Sequence, residues 1–127
     1  MVDIYILYIR SILETSAVVW HSSLTQSEIK AIERVQKVAL RIILKENYEN
    51  YEQALQLVEL PTLYARRTVL CINFAEQCRT NPKTSDMFPR NQSTSTRNHE
   101  KFCVQFSNNQ RPANSAIPYM QRLLNQV

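Results

Sequence analysis

The sequence predicts an all-α fold, and three of its features support that prediction. The 127-residue chain contains no glycine, so tight hairpin turns that need a positive φ would have to use Asn or Asp. Long segments place apolar residues at helical spacing, and Ser, Thr, Asn or Pro stands where each segment should begin or end. The length fits one domain with enough core to fold without disulfides. We expect a small bundle of three or four helices, a poorly ordered linker and a C-terminal helix.

The first segment, DIYILYIRSILET over residues 3–15, predicts a buried helix that Asp3 caps. Apolar residues fill nearly every position, and the absence of breakers favours a helix over a strand. Residues 17–20 should extend this helix or continue it tightly, and His21 begins a polar break. Arg10 interrupts an apolar run that is in any case too short to span a bilayer, so no membrane partner is expected. No small-residue cleavage site comes after it, which argues against a secretory signal.

The second segment begins with Thr25-Gln-Ser-Glu28, a capping-box pattern, and should continue as a helix to about Leu44. A helical projection separates its apolar residues from its basic residues, which fall within a sector of roughly 80° on the opposite face. The residues expected to be buried are Ile32, Val35, Ala39, Ile42 and Ile43. The basic residues, named here the basic ridge, are Lys30, Arg34, Lys37, Arg41 and Lys45. Such a ridge is either a solvated outer face or a surface that contacts phosphate.

A short helix and a third long helix are predicted next. Asn50 can cap the short helix, which should direct Ala54, Leu55 and Val58 inward. Pro61 then breaks the chain, and Thr62 can cap a helix that continues to about residue 80. The apolar side of this helix is expected to contain Leu63, Ala65 or Arg66, Leu70, Phe74 and Cys78, flanked by Val69 and Cys71.

The last third of the chain has a different composition. Ser, Thr and Asn are frequent over residues 83–100, which predicts an exposed and poorly ordered segment. Alternating apolar and polar residues over 101–106 suggest a short strand. Ser115 should cap a final helix with an apolar stripe of Ile117, Met120, Leu123 and Leu124. The expected organisation is therefore a helical domain over 1–81, a flexible linker over 82–114 and a helix over 115–126.

The cysteines point to no cofactor or metal. Their number, three, argues against a disulfide framework and fits a reducing intracellular compartment, cytoplasm or nucleus. Cys71 and Cys78 lie about two helical turns apart, roughly 10 Å, which is too far to share a zinc ion. His99 and Cys103 do not supply the missing close pair, so small core thiols are the favoured interpretation.

Four blocks in order resemble the C-terminal region, comprising the thumb and the post-thumb segment, of reverse transcriptases encoded by non-LTR retrotransposons. These blocks are LYIRSILETSAVVWHSSLT, IERVQKVALRIIL, YEQALQLVELPTLYARR and SAIPYMQRLLN. They contain a Val-Trp pair, an Arg-Val-Gln-basic helix, a Leu-Pro-x-Leu-x-x-Arg-Arg segment and an Ile-Pro-Tyr-Met tail. The resemblance is weakest over residues 83–114. The chain departs from the family in lacking a Tyr near Thr15 and in keeping only Arg111 before the last helix.

The resemblance implies a fragment of a polymerase without its catalytic centre. Family members hold two metal ions on palm aspartates, including an Asp-Asp pair, whereas this chain has only Asp3 and Asp86. We therefore expect no enzyme activity, no small-molecule substrate and a truncated product. The inherited role would be gripping the phosphates of an RNA/DNA template–primer beside the rest of the parent polymerase. The residues implied are Lys30, Arg34, Lys37, Arg41 and Lys45, with Arg66 and Arg67 as second choice.

Two alternatives stay open at this point. One of Arg66 and Arg67 is expected to pair with an acidic residue of the 46–59 segment, which holds four glutamates and no basic residue. The chain as a whole could instead be a small helical module that binds a protein partner or itself, or a product with no function. An exposed contiguous apolar patch would favour the interaction module.

Overall fold

The computed structural model describes residues 1–90, 101–104 and 107–126, and these residues form an all-α structure without strands, as predicted. The N-terminal elements are helix α1 (Val2–Ile4), a π-helical segment (Tyr5–Arg10), α2 (Ser11–Glu14), α3 (Ala17–Trp20) and a 3₁₀ turn (His21–Ser23). The central elements are α4 (Gln26–Leu44), a 3₁₀ turn (Lys45–Asn47), α5 (Tyr51–Leu57) and α6 (Leu63–Thr80). The C-terminal elements are a 3₁₀ turn (Ser85–Met87), α7 (Gln110–Ala113) and α8 (Ala116–Gln126).

The chain divides into two compact units. The first comprises residues 1–17 and 24–68, and the second comprises residues 18–23 and 69–127. One of the boundaries between these units falls inside α6. None of the described helices is long and apolar enough to cross a membrane.

The N-terminal segment of the first unit is helical, but the prediction that it is buried is wrong. Tyr5 is buried, whereas Leu7 and Ile12 are 67% and 72% exposed. Only the side that bears Tyr5 finds packing partners, so the other apolar side chains face outward. Asp3 lies in the first turn and does not cap the helix. The helical segment ends at Glu14, because Thr15 leaves the helical region with a ψ of 123°, and Ser16 follows in a left-handed conformation with a φ of 53°.

The start of α4 confirms the predicted capping box. The Thr25 hydroxyl accepts the backbone N–H of Glu28, and the Glu28 carboxylate accepts the N–H of Thr25 at 2.7 Å. The predicted buried face is only partly correct, because Val35 and Ile42 are exposed. Gln36 and Leu40 are fully buried instead. The helix is therefore rotated about its axis relative to the expected orientation, toward a side where Gln36 finds hydrogen-bond partners.

The short helix α5 packs as the sequence predicts. Asn50 caps it by accepting the Gln53 N–H at 2.9 Å. Leu40, Ala54 and Leu55 form the apolar core of the first unit. Partly buried residues packed around that core are Leu44, Tyr48, Tyr51, Val58 and Leu60.

Helix α6 begins as predicted and buries a different side. The Thr62 hydroxyl accepts the N–H of Ala65 at 3.2 Å, which confirms the cap. The buried residues follow an i, i+4 series: Leu63, Arg67, Cys71 and Ala75. Phe74, expected on the apolar side, is 42% exposed.

The second unit is organised by an apolar cluster, defined as Ala75, Phe88, Met120 and Leu124. Phe88 lies in the predicted linker, so that linker is structured at least to Arg90, while 91–100 lie outside the described residues. The predicted strand is reduced to one antiparallel bridge between Arg90 and Phe102, with residues 105 and 106 also outside the described part. The Asn125 amide holds Phe102 by accepting its N–H at 2.8 Å and donating to its C=O at 3.0 Å.

Candidate nucleic-acid interface

The basic ridge lies on α4 and the residue after it, and all five of its side chains are exposed. From Lys30 to Lys45 the ridge extends over roughly 22 Å at 1.5 Å per residue. Charged side chains lose favourable hydration when they are buried, so the face rich in Lys and Arg turns to water. The four ridge cations on α4 are exposed, and Lys45 is exposed in the turn that follows the helix, whereas the apolar face opposite was only partly identified.

A hydrogen-bonded group on the inner side of α4 holds the helix in this rotation. The group, named here the polar hub, consists of Tyr5, Glu33, Gln36 and Tyr51. The Tyr5 hydroxyl donates to Gln36 Oε1 at 2.7 Å. Gln36 Nε2 donates to the Tyr51 hydroxyl and to the Pro61 carbonyl, each at 3.1 Å. Three separate parts of the first unit therefore converge on one buried amide.

Glu33 anchors the start of α6 through the same hub. Its Oε1 accepts the N–H of Leu63 at 3.1 Å, and its Oε2 accepts the N–H of Tyr64 at 3.3 Å. The Tyr51 hydroxyl also donates to Glu33 Oε1. These N–H groups are among those at a helix start that have no partner within the helix, and a carboxylate there is favoured by the helix dipole. Glu33 is thus committed to structure rather than available as an acid or base.

A groove of about 470 Å³ runs along the ridge within the first unit. Four ridge residues line it, namely Lys30, Arg34, Lys37 and Arg41. Its remaining lining residues are Glu33, Val38 and Tyr51. Four cations against one carboxylate, whose oxygens already accept hydrogen bonds, make the groove attractive to an anion. Lys and Arg in such a setting offer N–H donors to phosphate oxygens.

One ridge guanidinium is held in place by an aromatic ring. The Arg41 guanidinium lies 5.3 Å from the centroid of the Tyr48 ring, within the range of a cation–π interaction. Tyr48 packs against the apolar core of the first unit, so it gives Arg41 a fixed support. Arg41 therefore loses less side-chain freedom on meeting an anion than an unsupported arginine would.

The second-choice residues Arg66 and Arg67 do not join the ridge. Arg66 Nε lies 3.2 Å from Glu14 Oε1, and Arg10 approaches the same carboxylate at 3.5 Å. Arg66 therefore forms an ion pair as expected. Its partner is Glu14, so the prediction of an acidic partner from the 46–59 segment is wrong. Arg67 is 0% exposed, so its guanidinium offers no donor to a phosphate at the surface.

The hub tyrosines are neutral at physiological pH. Burial raises the pKa of Tyr5 to about 12, with smaller contributions from the neighbouring charges. Burial also raises the pKa of Tyr51, assisted by its hydrogen bond to Glu33. At the helix start, the Thr25 backbone and hydroxyl hydrogen bonds lower the pKa of Glu28 below its ordinary value of 4.5. The hub thus adds only the charge of Glu33 to the groove at pH 7.

Metal chemistry has no donor set in the part of the chain that the structure describes. No three His, Cys, Asp or Glu side chains there are grouped so as to hold a metal ion. Cys71 is buried, Cys78 is partly buried and Cys103 is exposed. His99 lies outside the described residues.

Sequence reasoning missed Glu33, Gln36 and Tyr51, which hold the site in place. A signal was present, since Gln36 falls between Ile32 and Leu40 on the side that faces inward. A polar residue in the middle of an apolar stripe indicates a buried hydrogen-bond partner elsewhere in the chain. Comparisons with protein-family models, with curated proteins and with solved structures gave no match.

Proposed function

We propose that the chain binds the phosphate backbone of a nucleic-acid duplex through the basic ridge, without reading base sequence. The observation that carries this proposal is the exposure of all five ridge cations, four of which lie on helix α4 and line a common groove. Contacts of this kind supply affinity and position, whereas sequence is read at base edges. The ridge and the described lining of the groove contain no Asn or Gln side chain that would form a bidentate contact to adenine.

A duplex suits the ridge better than a single strand. Single strands are held by stacking their bases on exposed aromatic side chains along a basic groove. The two aromatics beside the ridge are already engaged, Tyr48 beneath Arg41 and Tyr51 in the polar hub. Both are only partly exposed. The ridge therefore offers cations to phosphates and no platform for bases.

We further propose that the chain derives from the thumb and post-thumb region of a non-LTR retrotransposon reverse transcriptase. Its four sequence blocks support this origin, and an all-α architecture agrees with a thumb. In that setting the ridge would contact an RNA/DNA template–primer beside the catalytic part of the parent polymerase. The proposed fragment itself has no catalytic role, because it lacks the Asp-Asp pair on which the family's metals depend.

Fluorescence anisotropy with a labelled RNA–DNA hybrid duplex tests the binding proposal. Log affinity should fall linearly with log salt, with a slope of about −0.9 per phosphate contact and hence no steeper than about −4.5 for five contacts. A double charge reversal, Lys37→Glu with Arg41→Glu, should abolish detectable binding at about 0.1 M salt.

The matched control reverses two exposed basic residues outside the ridge, Lys83→Glu with Arg111→Glu. It changes net charge by the same amount and should leave most of the affinity intact. If both double variants lose the same amount of duplex affinity, binding depends on net charge, and the proposal that the ridge is the binding surface is overturned. Tighter binding of a single strand than of the duplex would overturn the duplex preference.

A second candidate function is a protein-interaction module. The observation that favours it is a set of apolar side chains left exposed on residues 1–12. This surface is separate in sequence from the basic ridge, so the two functions are compatible.

A further inference from the structure

The N-terminal helical segment exposes an apolar surface that is unusually large for a chain of this size. Five of its apolar side chains are more than half exposed, at 56–72%. These residues, named here the N-terminal apolar face, are Met1, Ile4, Leu7, Tyr8 and Ile12. Side chains of this size present on the order of 200 Å² each, so at these exposures the face amounts to roughly 600–700 Å².

The area of this face is larger than that of the apolar patches found on typical monomers and approaches that of a protein–protein interface. The largest apolar patch on a typical monomer is about 300–600 Å², and patches above this range mark interaction sites. A standard protein–protein interface buries about 800 Å² on each partner. The face therefore provides most of one side of a stable dimer interface, with its polar rim supplying the remainder.

Two of the three charged side chains of the segment are engaged in ion pairs. Arg10 and Glu14 are partly buried and paired with each other, and Glu14 also binds Arg66. Of the charged side chains in residues 1–14, only Asp3 is exposed. A surface that meets its own copy across a two-fold axis must be self-complementary, and a charged surface would repel itself. An almost uncharged apolar face satisfies this condition.

The π-helical segment gives the face its shape. Ile4, Tyr8 and Ile12 recur every four residues, an interval that drifts around a regular α-helix. The i+5 hydrogen bonding over Tyr5–Arg10 widens the turn and counteracts that drift. The three side chains thus form a row along the outer side of the segment, about 12 Å long. Tyr8 stands at the centre of the row.

We propose that a second copy of this chain docks on the N-terminal apolar face to form a two-fold symmetric, antiparallel dimer. Tyr8 packs against Tyr8 of the other copy, and Ile4 packs against Ile12. An antiparallel arrangement separates the two Asp3 carboxylates and aligns the helix dipoles favourably, whereas a parallel one brings like charges and like dipole ends together. The dimer is independent of the basic ridge and of nucleic acid.

Sedimentation equilibrium in the absence of nucleic acid tests the oligomeric state. At roughly 100 µM, far above the Kd of a micromolar interface, the full chain should have twice its 14.9 kDa mass. Ile4→Glu with Ile12→Glu should give the mass of one copy. Both positions are exposed, so circular dichroism should show that this variant keeps its helix content.

The control, Val19→Glu with Leu57→Glu, changes two residues of similar exposure, 66% and 64%, outside the face. It should remain a dimer. A wild-type chain with the mass of one copy overturns the proposal, even if that chain binds lipid vesicles. Dissociation of the control variant also overturns it, because the dimer would then depend on a different surface.

Disulfide trapping tests the antiparallel geometry. In a Cys103→Ser background, Tyr8→Cys should cross-link two copies under mild oxidation, because residues at the symmetry axis face each other within disulfide range. Ile4→Cys alone should not cross-link, but it should do so when mixed with Ile12→Cys. Efficient cross-linking of Ile4→Cys to itself, without the Tyr8→Cys product, overturns the antiparallel arrangement.

Discussion

The two units of the molecule have different interiors. The first contains, beside its apolar core of Leu40, Ala54 and Leu55, the polar hub, where the Gln36 amide and the Glu33 carboxylate bind two phenols and several backbone groups. The second is centred on the apolar cluster, in which Phe88 and its neighbours meet without buried hydrogen bonds among their side chains. The Phe88 ring lies edge-on to Phe102 with centroids 6.2 Å apart.

This difference explains why the first unit is suited to present a charged surface. Hydrogen bonds are directional, so a hub that binds Gln36 and Glu33 fixes the rotation of α4 about its own axis. The basic ridge then faces outward as a consequence. Apolar contacts stabilise through area and carry little directional information. We expect each interior to respond differently to substitution.

The largest effect should come from the apolar cluster. Phe88→Ala removes a ring that is 4% exposed and leaves a cavity, and should lower the free energy of unfolding by about 4 kcal/mol. Urea denaturation measures the change. Phe74→Ala, at a site that is 42% exposed, should lower the free energy of unfolding clearly less. Similar losses at the two sites would contradict the apolar cluster as the centre of the second unit.

The next effect should come from the amide of the polar hub. Gln36→Leu conserves most of the volume but leaves the Tyr5 hydroxyl and the Pro61 carbonyl without their partner, and should lower the free energy of unfolding by about 3 kcal/mol. Gln56→Leu, at an exposed site on α5, should change it by less than about 0.5 kcal/mol. A neutral Gln36→Leu would show that the hub can be replaced by apolar packing.

A smaller effect is expected at Glu33. Glu33→Gln keeps one acceptor oxygen but removes the negative charge at the start of α6, and should lower the free energy of unfolding by about 1–2 kcal/mol. The same variant removes the only acidic side chain among the described residues that line the groove, so duplex affinity should rise. If Glu33→Gln stays folded but binds the duplex more weakly, the groove is not the binding site.

The smallest effect at neutral pH should be that of Tyr5→Phe, about 1 kcal/mol for one hydrogen bond. The Tyr5→Phe variant is most informative in alkaline solution. The pKa of Tyr5 is raised from 10.0 to about 12 in the folded chain, so the unfolded chain loses this proton first. The associated stability is complete below pH 10 and is lost as pH rises toward 12. Tyr5→Phe should flatten the decline of Tm over this window.

Local chemistry accounts for what could be predicted. Thr25, Asn50 and Thr62 begin their helices as expected, because an N-cap needs only a side-chain oxygen and an N–H two or three residues later. The ridge could be predicted for a similar reason, since helical spacing gathers its cations on one side and hydration keeps them exposed.

Contacts between distant segments account for what could not be predicted. Arg67 is buried and Ile12 is exposed, contrary to the usual preference of each residue type. Gln36 meets groups 31, 15 and 25 residues away in sequence. The spacing of apolar residues within α4 carries no information about those distant partners. The hydrophobic pattern of α4 therefore predicted a buried face that differs from the observed one by a rotation about the helix axis.

The amino-acid sequence by itself determined that the chain is all-α, where its main helices begin, and that four cations share one side of α4. These properties depend on residues within one or two helical turns of each other. Only the tertiary structure decided which side of each helix is covered, because burial depends on what the rest of the chain brings against it. As a result, Glu33 lies beside the ridge, Arg67 is buried and the N-terminal apolar face is exposed.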